Sequence, residues 1–401
     1  MAGCVVTVPA YFDDTRRKAT MDAGRIAGLN VIDIIDEPSA AALAYAVGRD
    51  DAPQTVLVYD LGGGTFDVTL VKLSRKRFQV LAIEGDVRLG GRDWDERLVN
   101  WAADKFAHQC GADPRTDPQS LAALYATAER VKRTLSKVEQ TSFTASHGGY
   151  KFTFPLSRAE FEAGTRDLLV RTRLTAQQVL RQANLTWERV DRVLLVGGST
   201  HMPACARMLT ELTGKEPDRG LAVSEVVARG AAVHAGILDA RARAGAGAGG
   251  PPPAPAPDLA DVIEVSVNAH SLGVEVRSGP ERVNDKLVPK NTQLPASASR
   301  VYYTAAESQS RVRVRILQGE AQQAEACIPV GECWIDGLPP HLPKGSPVRV
   351  RCGVAANGRI EVTATDETSG RAVTAAIHRP GGLSDDELAR ATAWVRALRV
   401  Q

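Results

Sequence analysis

The sequence is poor in aromatics, which make up 5% of its 401 residues, and in charge imbalance, with a formal net charge of only +2. A dedicated nucleic-acid binder usually carries a strong basic excess, so no nucleic-acid partner is expected. No window is long and apolar enough for a membrane-spanning helix, so no membrane partner is expected either. Cysteine is scarce and scattered: six residues, the nearest pair being Cys327 and Cys333, with no C-x-x-C and no histidine at ligand spacing beside them. That excludes a zinc-site framework and leaves the thiols as small buried apolar groups in a reducing compartment. The N-terminus, MAGCVVTVPAYFDD, has no charged region followed by an apolar one. It reads as lacking a secretory leader, and a cytoplasmic location is expected.

What is present divides in two. Residues 241–258 read RARAGAGAGGPPPAPAPD, a stretch without the bulky side chains needed to bury apolar surface. A linker is expected over 241–260. Residues 1–240 alternate strand and helix patterns. Val5–Val8 and Arg192–Val196 are apolar runs. Asp14–Gly28 has helical spacing, with Ala19, Ala23, Ile26 and Ala27 on one face. In 120–138, Leu121, Leu124, Ala128, Val131, Leu135 and Val138 form a stripe. These patterns predict an α/β domain. Residues 261–379 read as β. Val312, Val314 and Ile316 alternate with Arg311, Arg313 and Arg315, and Asn357-Gly358 and Thr368–Gly370 signal turns. A β-sandwich is expected, with the arginine comb facing solvent and discouraging edge pairing. Residues 380–401 open with Ser384-Asp385-Asp386-Glu387, a capping-box start for one further helix.

Two glycine segments carry the chemical signal. In Val56-Leu-Val-Tyr-Asp60-Leu-Gly62-Gly63-Gly64-Thr65-Phe-Asp67, a strand delivers Asp60, the glycines turn, and a second strand leaves. Glycine lets backbone N–H groups approach phosphate oxygens. Asp60 is placed to hold Mg²⁺ through water, and Thr65 to meet a γ-phosphate or an attacking water. In Val193-Leu-Leu-Val-Gly197-Gly198-Ser199-Thr200-His201-Met-Pro203, a strand runs through two glycines to a helix start near Pro203. A plain glycine turn or a tight strand–helix corner accounts for either segment alone. Together they match the way an actin-like ATPase clamps a nucleotide between lobes.

These segments, with VVTVPAYFDDTRRKATMDAGRIAGLNVIDIIDEPSAAALAYAVG, GDVRLGGRDWDERL, AERVKRTLS, ARGAAVHAGIL, SLGVEV, NTQLP, VYYTAAESQSRVRVRILQGE and GGLSDDEL, occur in family order in a chain that closely resembles the Hsp70 (DnaK-like) chaperones. The resemblance covers nearly everything but the Pro-rich linker. It implies an actin-like ATPase domain over 1–240, a substrate-binding β-sandwich over 261–379 and the start of a helical lid over 380–401. ATP or ADP with Mg²⁺ is the implied cofactor. Extended apolar segments of unfolded proteins are the implied clients, and a J-domain co-chaperone and a nucleotide-exchange factor the implied partners. Residue by residue, it implies catalytic roles for Thr65, Glu37, Asp60 and Asp67, with Asp60 near Mg²⁺. It implies nucleotide contacts from Gly62, Gly63, Gly64, Gly90, Gly91, Glu129, Lys132, Arg133, Ser136, Gly197, Gly198 and Ser199. Pro9 and Arg17 match a relay that reports nucleotide state. Val274, Tyr302, Ala305, Gln309, Val312 and Val314 match the peptide groove, although such residues also serve as ordinary sandwich core.

The chain departs from the family pattern in several places. The family's first glycine loop, of Gly-Ile-Asp-Leu-Gly-Thr-Thr type, and a catalytic lysine would lie upstream of Met1. The chain therefore reads as N-terminally truncated, and little ATP hydrolysis is expected of it alone. His201 stands for an arginine and Ser224 for an aspartate near the adenine. Asp33 stands for a basic residue and Ser266 for its acidic partner. Arg277 and Arg359 replace apolar groove residues. Glu264 puts a charge into the otherwise apolar linker strand Asp261–Val265, which is expected to weaken its docking. Two readings follow: an ATP-linked chaperone, or a non-hydrolysing peptide-binding module with a degenerate nucleotide domain. A sugar kinase of the same superfold is disfavoured by the second, β-rich part.

Overall fold

A computed structural model describes residues 3–46, 52–74, 77–218, 223, 225–245, 262–336, 338, 341, 343–355, 360–370, 372–375 and 383–398. The central element of the first part is a five-stranded sheet in the order β8-β3-β4-β5-β9, where β3 is Gln54–Leu61, β4 Phe66–Ser74, β5 Arg77–Asp86, β8 Arg192–Val196 and β9 Ile263–Val265. Strand alternation sends Leu57, Tyr59 and Leu61 to one face and Val56 and Val58 to the other. The first set packs with helices α3 (Gly91–Cys110), α4 (Pro118–Leu135), α6 (Arg166–Gln182) and α7 (Pro203–Thr213). The second packs with α2 (Glu37–Ala46) and α8 (Val226–Gly245). Around this frame lie the parallel pair β1 (Cys4–Val8) and β2 (Val31–Asp36), the helix α1 (Asp14–Ile26), the hairpin β6 (Gln140–His147) and β7 (Tyr150–Ser157), and the short helix α5 (Arg158–Gly164).

The second part holds two four-stranded sheets. One has the order β11-β10-β13-β14, with β10 Leu272–Ser278, β11 Glu281–Val288, β13 Arg311–Gln318 and β14 Ile328–Asp336. The other has the order β12-β15-β16-β17, with β12 Ala296–Tyr303, β15 Pro347–Val354, β16 Ile360–Asp366 and β17 Ala372–Ala375. Both contribute to one core, in which Val274, Val314 and Ile316 meet Val350, Cys352 and Val362. A last helix, α9 (Asp385–Ala397), starts on the expected box: Ser384 N–H donates to Glu387 Oε2 (2.8 Å) and Glu387 N–H to Ser384 Oγ (3.3 Å).

Several expectations need correction. The alanine face of α1 is not buried: Ala19, Ala23 and Ala27 are exposed, while Asp14 and Asp22 are covered. Alanine buries too little area to dictate a helix face, and Asp22 is paired with Lys18. Val138 lies beyond the end of α4 and is exposed, whereas Lys132 joins the buried residues of that helix. The arginine comb does not guard an edge, because β13 is an inner strand paired on both sides. Its exposed face makes cross-strand contacts instead: Arg313 Nε donates to Glu332 (2.8 Å), Arg315 pairs with Glu275 (2.8 Å), and Arg311 covers the Trp334 ring. Most of the expected linker (246–260), Asp261, Ser224, Asn357-Gly358 and Arg359 lie outside the described residues.

The two parts touch through polar groups that the sequence did not mark. Lys290, with only 9% of its side chain exposed, pairs with buried Glu84 (2.9 Å), and its Nζ lies over the Tyr11 ring. His270 Nε2 is 2.9 Å from the Tyr11 carbonyl oxygen, Ile83 N–H donates to Asn291 Oδ1 (3.0 Å), and Asp14 N–H to Gln318 Oε1 (3.2 Å). Strand β9 adds to the open edge of β5 in parallel register.

Candidate nucleotide site

Three glycine turns meet at one end of the central sheet. The β3–β4 hairpin closes with Gly62 N–H donating to the Thr65 carbonyl (3.0 Å), which sets Asp60 opposite Asp67. The Gly62 carbonyl then accepts from Gly91 N–H (2.9 Å) and Ser199 Oγ (2.8 Å), and the Gly63 carbonyl accepts from Arg92 N–H (2.8 Å). The start of α3 and the Gly197–Ser199 corner are thereby pinned to the hairpin. Close approach explains the residue type: a Cβ on Gly91 would lie 2.2 Å from Ser199 Oγ. Gly197 has φ +84°, and a Cβ there would lie 2.3 Å from the Leu61 carbonyl oxygen.

Beside these turns opens a cavity of about 710 Å³. It is lined by Gly63, Gly91, Gly198 and Ser199 from the turns and by Glu129, Lys132, Arg133 and Ser136 from α4, with His201 at its wall. Residues far apart in sequence thus line one space. Their roles differ. Glu129 and Arg133 are exposed and form a loose pair (3.7 Å). Lys132 is buried, pairs with Asp95 (2.8 Å) and donates to the Gly91 carbonyl (2.7 Å), so it also holds the start of α3 against α4. Asp95 carried no sequence signal, because its partner is 37 positions away and only packing brings them together.

The carboxylates form a second group. Burial, aided by the charge of Glu37, holds Asp60 up at about 7. Burial and then the charge of Asp60 push Asp67 well above the usual carboxylate range, although Asp67 accepts from Tyr11 N–H (3.0 Å). Burial and Asp36 also raise Glu37. Mutually repelling carboxylates in a covered site are the setting in which a cation stabilises the ionised forms. Among the described residues no three His, Cys, Asp or Glu side chains are close enough to ligate one ion directly. Arg17 pairs with Asp36, which burial otherwise raises, and donates to the Phe12 carbonyl (3.2 Å). Pro9 accepts from Phe12 N–H through its carbonyl (3.1 Å). Arg17 thus contacts Asp36, and both Arg17 and Pro9 contact the Phe12 backbone.

The six residues expected to contact peptide differ in burial. Val274 and Val314 lie in the inter-sheet core. Val312 and Tyr302 are half-buried at its margin, where Tyr302 Oη donates to Asp285 (2.8 Å). Ala305 is exposed and Gln309 half-buried in the β12–β13 loop, tied by Ala305 N–H donating to Gln309 Oε1 (3.1 Å). Arg277 is exposed near the end of β10.

The comparisons with known proteins agree on one family. The Hsp70 protein family model matches residues 1–398. Chaperone protein dnaK3 of Synechococcus elongatus is 42% identical over 397 residues, covering 97% of this chain and 50% of its own length. Heat shock 70 kDa protein 7, chloroplastic, of Arabidopsis thaliana is 41% identical, covering 96% and 51%. The stromal 70 kDa heat shock-related protein, chloroplastic, of Spinacia oleracea is 42% identical, covering 96% and 62%. The chain spans about half the length of most of these relatives. Their chloroplast and bacterial origins do not single out the cytoplasm. No described helix is long and apolar enough to cross a membrane. With its α/β and β sheets and a family match across nearly its whole length, this chain belongs to the Hsp70 family.

Proposed function

We propose that the chain is an ATP-linked chaperone component. Residues 1–240 would be an actin-like nucleotide-binding domain, 241–260 a linker, 261–379 a peptide-binding β-sandwich, and 380–401 the start of a lid. The observation that carries this reading is the convergence of three glycine turns and one helix face on a single cavity of about 710 Å³. Exposed N–H groups of Gly63, Gly64 and Gly198 suit phosphate oxygens. Glu129, Arg133 and Ser136 suit the polar edge of a nucleoside, and Asp60 with Glu37 and Asp67 suits a hydrated Mg²⁺. Bound Mg²⁺ would neutralise phosphate charge, and Thr65 would orient the γ-phosphate. Unfolded client segments, a J-domain co-chaperone and an exchange factor would be the partners, consistent with the direct contact between the two parts.

Titration of the chain with ADP and Mg²⁺, followed by calorimetry, tests this. Micromolar binding is expected, and Gly91→Val should weaken it at least tenfold, because the new side chain enters the packed turns. No binding by the parent chain, alongside binding of an extended apolar peptide, would instead establish the passive peptide-binding reading. A second expectation concerns pH. Because Asp60 titrates near 7, lowering the pH below that value protonates the group that favours the cation. The Mg²⁺-dependent part of ADP affinity should fall by up to tenfold per pH unit below 7. The same raised value makes an ionised Asp60 a burden on the ligand-free fold above pH 4, so Asp60→Asn should stabilise the free protein at pH 8 while abolishing the Mg²⁺ effect. A Mg²⁺ contribution that stays flat from pH 5.5 to 8 would contradict this assignment.

A further inference from the structure

Strand β9 reaches the β5 edge carrying an acidic residue, Glu264, whose side chain is mostly covered. A second acid, Asp33 on β2, lines the same crevice. His234 of α8 stands between them, with only 8% of its side chain exposed. Its Nε2 is 3.0 Å from Asp33 Oδ2. Its Nδ1 is 2.8 Å from Glu264 Oε2, close enough for charge attraction though not aligned as a hydrogen bond. Three elements, two of them more than 200 positions apart, thus meet on one imidazole.

We propose that His234 is a proton-dependent latch that holds β9, and with it the start of the β-rich part, on the edge of the five-stranded sheet. The geometry requires the charged form. A neutral imidazole has one N–H, whereas both ring nitrogens here face carboxylate oxygens. Loss of the proton would turn a lone pair toward one of the acids and leave two carboxylates sharing a covered crevice without a compensating charge.

The other charged groups around the crevice do not substitute for it. On β2, Asp36 is committed to Arg17 of α1. On α8, Arg241 donates to the Val262 carbonyl (2.5 Å), which adds a second tie to the same strand but no direct charge partner for Glu264. From the β-rich part, His270 is turned to the Tyr11 carbonyl. Phe78 of β5 contributes only an apolar wall. Burial alone would pull His234 toward neutrality, but Asp33 and Glu264 outweigh it and hold the imidazole at about 9. The sign follows. A histidine whose folded value exceeds its unfolded 6.5 gives full stabilisation below about 6.5. That stabilisation is lost as pH rises through about 9.

Hydrogen exchange on the full chain tests the latch, with rates corrected for intrinsic pH dependence. Protection of the Ile263–Val265 amides should be highest at and below about pH 6.5 and fall progressively as the pH rises through about 9, by well over tenfold in all, each unit of lost coupling being a tenfold change. Protection of Arg192–Val196 at the opposite edge of the same sheet should not move over that range. In His234→Gln the β9 protection should be low throughout and show no step. The latch is refuted if β9 follows β8 across the whole range, or if the step survives in His234→Gln. Should His234→Gln lose β8 protection as well, and so fail to fold, the proton resonances of His234 in the parent chain decide. A midpoint near 9 supports the latch, and an ordinary value near 6.5 overturns it.

Discussion

Gly230→Ala should destabilise the chain by about 3 kcal/mol, the upper part of the range for overpacking a rigid contact. Gly230 lies on α8 where that helix crosses α2, and a Cβ there would sit 1.7 Å from the Ala40 carbonyl oxygen and 2.2 Å from its carbon. The obstacle is backbone, so no side-chain rotation relieves it and the two helices must separate. Their seam is part of the core on one face of the central sheet, where Ala40, Ala41 and Ala42 are fully buried. Helix α2 begins at Glu37, so the shift would also move one of the site carboxylates. Urea unfolding of the parent and the variant checks this. A midpoint within about 0.5 kcal/mol of the parent, the ordinary range for a harmless surface change, would show that the helices yield freely. Under the proposed function the same variant should bind ADP more weakly.

Lys132→Met should cost a comparable or larger amount, about 3–5 kcal/mol, because it leaves one member of a covered ion pair without its partner. Lys132 and Asp95 are both largely buried, and the ammonium also donates to the Gly91 carbonyl. The loss should not come from the lysine alone. Burial already holds Asp95 above the usual carboxylate range even with Lys132 opposite, so without the lysine Asp95 would have to take up a proton to remain covered. The defect should therefore shrink as the pH is lowered. Asp95→Asn combined with Lys132→Met should recover at least half of the loss, since no uncompensated charge then remains. Equal losses in the single and the double variant, at every pH, would mean that the pair carries no coupling and that only the Gly91 contact matters.

The sequence showed the glycine turns well because their requirement is local. A strand ending in Asp60, a hairpin of three glycines and a returning strand can be read within a dozen residues. The capping box of α9 and Pro203 at the start of α7 are of the same kind, and both stand where expected. Local pattern failed where the apolar signal was weak or the decisive partner distant. The alanines of α1 suggested a buried face that is exposed. The arginines of β13 suggested a guarded edge, because alternation reveals which side of a strand is wet but not whether the strand has neighbours on both sides. Glu264 looked like a flaw in an apolar strand, and only the arrival of His234 from α8 gives it a partner.

The sequence by itself determined the family, the alternation of α/β and β-rich parts, and the residue types at the glycine turns, because each depends on short-range pattern or on many ordered motifs. The tertiary structure decided that Lys132 is a buried pin rather than a free contact, that Gly230 must lack a side chain, that Lys290 and Glu84 join the two parts, and that His234 bridges two acids. Each of these depends on which groups meet across a packed interface. That is settled by the joint burial of several elements, and no stretch of the chain contains enough of the partners to specify it.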